Sequence, residues 1–97
     1  MVNMLTALVI PRADHVRIEL RIDAPRGVRA TRLLNAATFR LAAEIETLSA
    51  DMEQRWVVSP NALHASVILE LCHGDDPVLA ADVARDACDE LDIEHVE

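Results

Sequence analysis

Residues 16–32 constrain the fold of this chain more than any other stretch, because two hydrophobic periods meet there. From Val16 to Ile22 apolar and charged residues alternate strictly, which predicts a strand with one buried face and one wet face. From Gly27 to about Ala43 the period becomes helical, and the apolar stripe consists of Ala30, Leu34, Ala37 and Leu41. A half-buried strand followed directly by an amphipathic helix indicates an α+β domain with an open sheet.

Three further segments of the chain predict strands. These are Met4–Ile10, Glu53–Val58 and His64–Cys72, the last with Val67, Leu69 and Leu71 facing inward. Met4–Ile10 is a continuous apolar run, typical either of a buried strand or of an edge strand that pairs between subunits. Residues 45–49 fit either the last turn of the first helix or the start of a strand.

A second helix is predicted after the turn at residues 73–76. Asp76 is a good N-cap and Pro77 suits the first helical position. The apolar stripe that follows consists of Ala80, Val83, Ala84, Ala87 and Leu91. We therefore expect one α/β (α+β) domain over residues 1–97, with an open-faced antiparallel sheet of four to five strands and two helices on one face.

Composition narrows the class of protein. Hydrophobic residues make up 52% of the chain, but with one Phe, one Trp and no Tyr the core must consist of Ala, Val, Ile and Leu. No apolar run reaches the roughly 18–20 residues of a membrane span. The apolar start lacks a basic region and a cleavage site, so we expect no signal peptide. Two cysteines are too few for a disulfide framework, and we predict a cytoplasmic protein with reduced thiols.

Charge is divided unevenly along the chain, whose net charge is −8. Residues 1–40 hold seven Arg and three acids, and residues 41–97 hold two Arg and fourteen acids. Two halves of opposite charge can attract each other within one subunit or between subunits. The overall negative charge and the scarcity of aromatic residues argue against nucleic acid as a partner.

The main candidate site lies between the alternating strand and the first helix. Arg26, Arg29 and Arg32 stand at or before the start of that helix, where the helix dipole is already positive. Backbone N–H groups, the dipole and arginines together form a site suited to a carboxylate or phosphate. The alternative is a solvated helix face that forms salt bridges with the acidic second half. Asp23 suits a turn or capping role, and Gly27 a close backbone approach or a positive φ.

The same segment resembles the first loop of the ACT domain, a small ligand-sensing module of amino-acid metabolism. That loop typically reads Asp-x-Pro-Gly-Val-Leu-Ala, and residues 23–30 read Asp-Ala-Pro-Arg-Gly-Val-Arg-Ala, with Arg26 inserted before the glycine. Ile45-Glu46-Thr47-Leu48 is similar to the start of the family's second strand, and residues 74–96 resemble its last helix and strand. The likeness covers residues 15–97 and leaves residues 1–14 as an extra N-terminal strand.

This resemblance implies a ferredoxin-like βαββαβ fold and a non-enzymatic regulatory module that binds a small amino acid or anionic metabolite. It also implies that the protein forms a homodimer and can bind a partner enzyme. The resemblance implies no cofactor. Asp23 would meet the ammonium group of an effector. The ligand-binding residues that we predict are Asp23, Arg26, Gly27, Val28, Arg29 and Arg32.

Two alternatives remain open. One is a protein–protein interaction subunit without a ligand, which the bare apolar strand and the charge asymmetry favour. The other is a degenerate relative of the HPr-like phosphocarriers, whose loop is also similar to the sequence from Ala24 onward. The phosphorylated histidine of that family would fall at or near Arg29, so its chemistry would be lost.

We identify no catalytic or metal-binding motif in the chain. The four histidines form no H-x-x-x-H pair or H-E-x-x-H helix, and Cys72 and Cys88 are interpreted as small core residues. A weak internal repeat relates Val9-x-Pro11-x-Ala13-x-His15 to the same pattern 49 residues later. Two ββα units are one interpretation of it.

Overall fold

The computed structural model of the protein describes residues 5–22, 27–58, 65–73 and 76–96. These residues form the elements β1 Leu5–Pro11, β2 Val16–Ile22, α1 Val28–Leu48, β3 Glu53–Val58, β4 Ala65–Cys72, α2 Pro77–Glu90 and β5 Glu94–Val96. The segment from Ile45 that the period left undecided belongs to α1, because Ile45 continues the buried stripe one turn after Leu41. The element order is ββα, ββα and a final strand. Most of the second copy of the sequence repeat lies outside the described residues.

The five strands form one open sheet in the order β3-β4-β2-β1-β5. The expectation of a purely antiparallel sheet is wrong in one pairing, since β1 and β5 are parallel. The reason is the β4–α2–β5 connection: a helical crossover returns the chain to the direction of β4, and β1 runs in that same direction. The last six elements follow the predicted βαββαβ order of a ferredoxin-like arrangement.

The N-terminal strand β1 is not an edge strand, contrary to one of the two interpretations of its sequence. It pairs with β2 along its whole length and with β5 at Thr6–Leu8. β1 therefore separates the first and last strands of the βαββαβ set. The apolar run at the start of the chain is explained by its place inside the sheet.

Both helices pack against one face of the sheet, as predicted. The alternating residues of β2 point into this core, and Val16, Ile18 and Leu20 are fully buried. The predicted stripe of α1 is buried throughout, and so are the four predicted core residues of α2 up to Ala87. Asp76 caps α2 as expected, accepting a hydrogen bond from the Leu79 backbone N–H at 3.0 Å, with Pro77 in the first turn.

The other face of the sheet has no helix over it and carries charged residues among apolar ones. The Arg21 Nη2 atom lies 2.8 Å from Glu19 Oε2, and Glu70 lies within 4.0 Å of both Arg55 and His15. Several charges on this face therefore have partners there, whereas the Nε atoms of Arg17 and Arg21 are buried without a hydrogen-bond partner in the described structure. Neither described helix is long and apolar enough to cross a bilayer.

Candidate functional site

The start of α1 lacks the usual features of a helix N-terminus. Gly27 is the N-cap and makes no side-chain hydrogen bond, and the first turn holds no acidic residue. The Thr31 backbone N–H donates to the Gly27 carbonyl at 2.9 Å, which leaves the N–H groups of the preceding helical residues without a partner inside the helix. Arg29 and Arg32 are both exposed at this end.

The predicted ligand-binding residues are only partly visible. Asp23 and Arg26 lie outside the described residues. Val28 has 72% of its surface exposed, so it encloses nothing in the described structure. Within the described part of the chain, the side chains of Arg29 and Arg32 have no hydrogen-bond or ion-pair partner, so the salt bridges of the alternative interpretation are not formed there.

The expectation that Gly27 requires glycine's conformational freedom is wrong. Its φ of 178° and ψ of 176° are extended values that other residues also adopt. A Cβ atom added there would meet no atom within 4 Å. The backbone at the start of α1 is therefore neither strained nor closely approached by another part of the described chain.

The charges of α1 oppose its dipole at both ends. Its first turn carries Arg29, its last turn carries Glu46, and the helix has no basic residue in the last turn. Each such charge costs a few tenths of a kcal/mol up to about 1 kcal/mol when nothing compensates it. The arrangement is unfavourable in an isolated subunit and would be relieved by an anion near Arg29.

A groove of about 190 Å³ lies between the middle of α1 and the link from α2 to β5. Its walls carry opposite charges, with Arg40 on α1 facing Asp92 and Glu94 across the groove. The apolar part of the lining consists of Leu5, Ala37, Leu91 and Ile93. None of the three charged side chains has an ion-pair partner among the described residues.

Asp92 adopts a backbone conformation that favours glycine. Its φ is 58°, and it is the only non-glycine residue in the described chain with a positive φ. The Ile93 N–H donates to the Cys88 carbonyl at 2.8 Å and the Asp92 N–H to the Asp89 carbonyl at 3.2 Å, which together form a Schellman motif at the end of α2. The Asp92 carboxylate thus stands at the negative end of the α2 dipole, where a cation is stabilised.

A second, more open hollow of about 320 Å³ adjoins the groove and shares Asp92 and Glu94 with it. Its other polar residues are Asp89 and His95, and the His95 Nε2 atom lies 2.9 Å from Asp89 Oδ1. The whole end of the molecule where α2 stops is therefore acidic. Within the described residues, no group of three or more His, Cys, Asp or Glu side chains could hold a metal ion.

The two cysteines occupy different environments. Cys88 lies in the core as predicted, and burial raises the pKa of its thiol to about 11, with Asp89 adding to the rise. Cys72 is not a core residue: it lies half-buried on the helix-free face, because it is one residue out of phase with Leu71. Burial, together with nearby carboxylates, raises its pKa as well. Both thiols therefore stay protonated near neutral pH and are poor nucleophiles.

Sequence reasoning missed the groove, which joins residues distant in the chain. The helical period by itself places Arg40 away from the buried stripe and gives no indication of the acidic residues across the groove. The signal that could have indicated the site is the acidic Asp92-Ile93-Glu94 directly after a predicted helix end, where Gly and basic residues are usual.

Comparison of the chain with protein-family models, curated proteins and solved structures found no match.

Proposed function

We propose that the protein is a non-enzymatic regulatory module that binds a small amino acid or a similar anionic metabolite and assembles as a homodimer. The observation that carries this proposal is the groove between α1 and the α2–β5 link. It joins one unpaired cation, two unpaired carboxylates and an apolar lining. A small molecule with both charges suits these groups better than a purely anionic or purely cationic one.

The groove suggests a definite orientation for such a ligand. The Arg40 guanidinium would hold the carboxylate of an amino acid, since arginine binds carboxylates with two parallel hydrogen bonds. Asp92 and Glu94 would hold the ammonium group at the negative end of α2. Leu5 and Leu91 offer contact for a short apolar side chain. At about 190 Å³ the groove suits a ligand smaller than a typical drug molecule.

The arginines at the start of α1 support a second proposed ligand site, at which an anion binds. Free N–H groups, unpaired Arg29 and Arg32 and the absence of an acidic residue in the first turn all favour negative charge. Phosphorylated metabolites are the natural probe for this position. The groove and the start of α1 are expected to bind different classes of ligand, and the two sites depend on different arginines.

A thermal-shift screen over the amino acids and common phosphorylated metabolites tests the proposal. A ligand at a hundred times its Kd stabilises the fold by about 2.7 kcal/mol. For a domain of this size each kcal/mol raises Tm by roughly 4–8 °C. We expect at least one amino acid to produce a shift of this order.

Calorimetric titration of the matched variants Arg40→Gln and Arg29→Gln distinguishes binding in the groove from binding at the start of α1. If an amino acid binds in the groove, Arg40→Gln weakens its binding by about 1.5–3 kcal/mol and Arg29→Gln leaves it unchanged. If a phosphate binds at the start of α1, the pattern reverses. Absence of a shift with every compound contradicts the proposal and favours the ligand-free interaction subunit.

A further inference from the structure

The outward face of α1 is exposed and partly apolar along its length. Phe39, the only phenylalanine of the chain, has 75% of its surface exposed and lies opposite the buried stripe. Ala36 and Ala43, roughly one turn on either side, are also exposed and are small enough to let another helix approach closely. Aromatic residues, phenylalanine included, are enriched at the buried centre of interfaces between proteins.

Opposite charges stand symmetrically about Phe39 on this face. Arg32 lies seven residues before it and Glu46 seven residues after it, and both are exposed. Seven residues are nearly two helical turns, so the three side chains lie almost on one line, with each charge about 10 Å from the centre. Neither charge has an ion-pair partner among the described residues.

We propose that two copies of this chain pack α1 against α1 in antiparallel orientation, with a two-fold axis beside Phe39. Arg32 of each copy then faces Glu46 of the other copy, and the two phenylalanines meet at the centre. This inference rests on the homodimer in the proposed function and names its interface. A two-fold interface must be self-complementary, and an antiparallel pair places the two halves of this helix face against each other.

The same pairing explains the charges that oppose the dipole of α1. In an antiparallel pair the basic, dipole-positive start of one helix lies beside the acidic, dipole-negative end of the other. The unfavourable charges of a single subunit become attractive between subunits. The helix itself holds three Arg and two Glu, so this surface escapes the repulsion that a chain of net charge −8 would otherwise impose.

The helix-free face of the sheet is a poorer candidate for the contact between copies. Several of its charged residues already interact with one another, as Glu19 does with Arg21 at 2.8 Å. Val57 and Val96, its most exposed apolar residues, are about 40% exposed, whereas Phe39 is 75% exposed. Phe39 and two opposite charges without an ion-pair partner, Arg32 and Glu46, all lie on α1.

Charge reversal tests the proposed interface. Arg32→Glu or Glu46→Arg alone places like charges opposite each other twice in the dimer, and each variant is expected to dissociate at least tenfold more readily than the parent. An equimolar mixture of the two variants restores both attractive pairs and is expected to form heterodimers. The double variant restores them within one chain and is expected to form homodimers. Sedimentation velocity and native mass spectrometry measure all four states.

Two further variants complete the experiment. Phe39→Ser removes the central contact from an exposed position and is expected to give a folded monomer by circular dichroism. Arg55→Glu, a charge reversal at a 79% exposed side chain on β3, is the control and leaves the dimer unchanged. A monomeric parent at high micromolar concentration, a mixture without heterodimers, or a Phe39→Ser variant that stays dimeric would each overturn the proposal. Ligand binding by monomeric Glu46→Arg tests the groove separately, since Glu46 does not line it.

Discussion

At the scale of single residues, Asp92 occupies an energetically unfavourable position. Its left-handed backbone and its carboxylate at the negative end of α2 are both unfavourable for stability. Glycine is the usual residue at this place in a Schellman motif. An aspartate is explained if its carboxylate serves a ligand, because function often retains groups that weaken the fold.

Replacing Asp92 with glycine is expected to stabilise the protein. Asp92→Gly relieves the left-handed conformation and removes a charge from the helix end, which together should raise the free energy of unfolding by about 0.5–1 kcal/mol. Asp86→Gly is the matched control, since Asp86 is exposed within α2 and glycine there should cost a few tenths of a kcal/mol. Urea unfolding of both variants checks the opposite signs. The proposed amino-acid site also requires Asp92→Gly to bind its ligand more weakly.

Cys88 predicts a loss of stability in alkaline solution. Its thiol pKa rises from an ordinary value of 9.0 to about 11 in the fold. Between these values the unfolded chain ionises the thiol and the folded chain does not, so the free energy of unfolding falls as pH rises, by up to about 3 kcal/mol. The chain has no Lys or Tyr, so the cysteines dominate titration in this range.

Urea unfolding at a series of pH values between about 9 and 11 measures this effect. Cys88→Ala should reduce the alkaline loss, and Cys72→Ala should retain the larger part of it. A Cys88→Ala variant with the same pH profile as the parent would contradict the assignment. Burial also predicts that an aromatic disulfide reagent reacts with Cys72 before Cys88 in the folded protein.

At the scale of secondary-structure elements, α1 is held in place by packing rather than by its ends. Leu41 and Ile45 are fully buried against the sheet, whereas Gly27 contributes no side-chain cap. Tertiary contacts of an amphipathic face usually supply most of the stability of a helix in a protein. An unoptimised end is therefore tolerated, and it leaves free N–H groups for an anion.

Gly27→Asp is expected to stabilise the subunit and to oppose anion binding. The new carboxylate would cap the free N–H groups and oppose the positive charge at this end, raising the free energy of unfolding by about 0.5–1 kcal/mol. Gly27→Ala is the control, because alanine lacks a capping side chain. Thermal melts with and without phosphate compare the three proteins. Equal stability of the Asp and Ala variants would show that the start of α1 is already satisfied.

At the scale of the whole molecule, the position of β1 changes where assembly is expected. Leu8 lies half-buried on the helix-free face, paired with Glu19 on one side and Val96 on the other. It belongs neither to an open edge nor to α1. A contact between copies through α1 therefore leaves Leu8 outside the interface.

Leu8→Lys is accordingly expected to leave the assembly intact. The new ammonium would lie opposite Glu19, and such cross-strand pairs contribute roughly 0.2–1 kcal/mol, which offsets part of the lost burial. Phe39→Lys, by contrast, should dissociate the dimer. Sedimentation of both variants at matched concentrations measures the difference. Dissociation by Leu8→Lys with an intact Phe39→Lys dimer would place the interface on the sheet instead.

Local patterns were sufficient for the elements whose hydrophobic period is long and regular. The alternation of β2, the helical stripe from Ala30 to Leu41 and the Asp76 cap all depend on neighbours a few residues away, and all three are confirmed. The end of α1 was undecided, because residues 45–49 fit two periods. Burial of Ile45 beneath the helix decided between them.

The sequence by itself determined the α+β class, the buried faces and the uneven charge, because period and composition are local properties. Only the tertiary structure decided that β1 lies inside the sheet and that β5 runs parallel to it, since strand pairing joins residues nearly ninety positions apart. It also decided that Arg40 meets Asp92 and Glu94 at one groove. Whether residues distant in the sequence line the same groove depends on how the helices pack on the sheet, and local sequence patterns do not determine this packing.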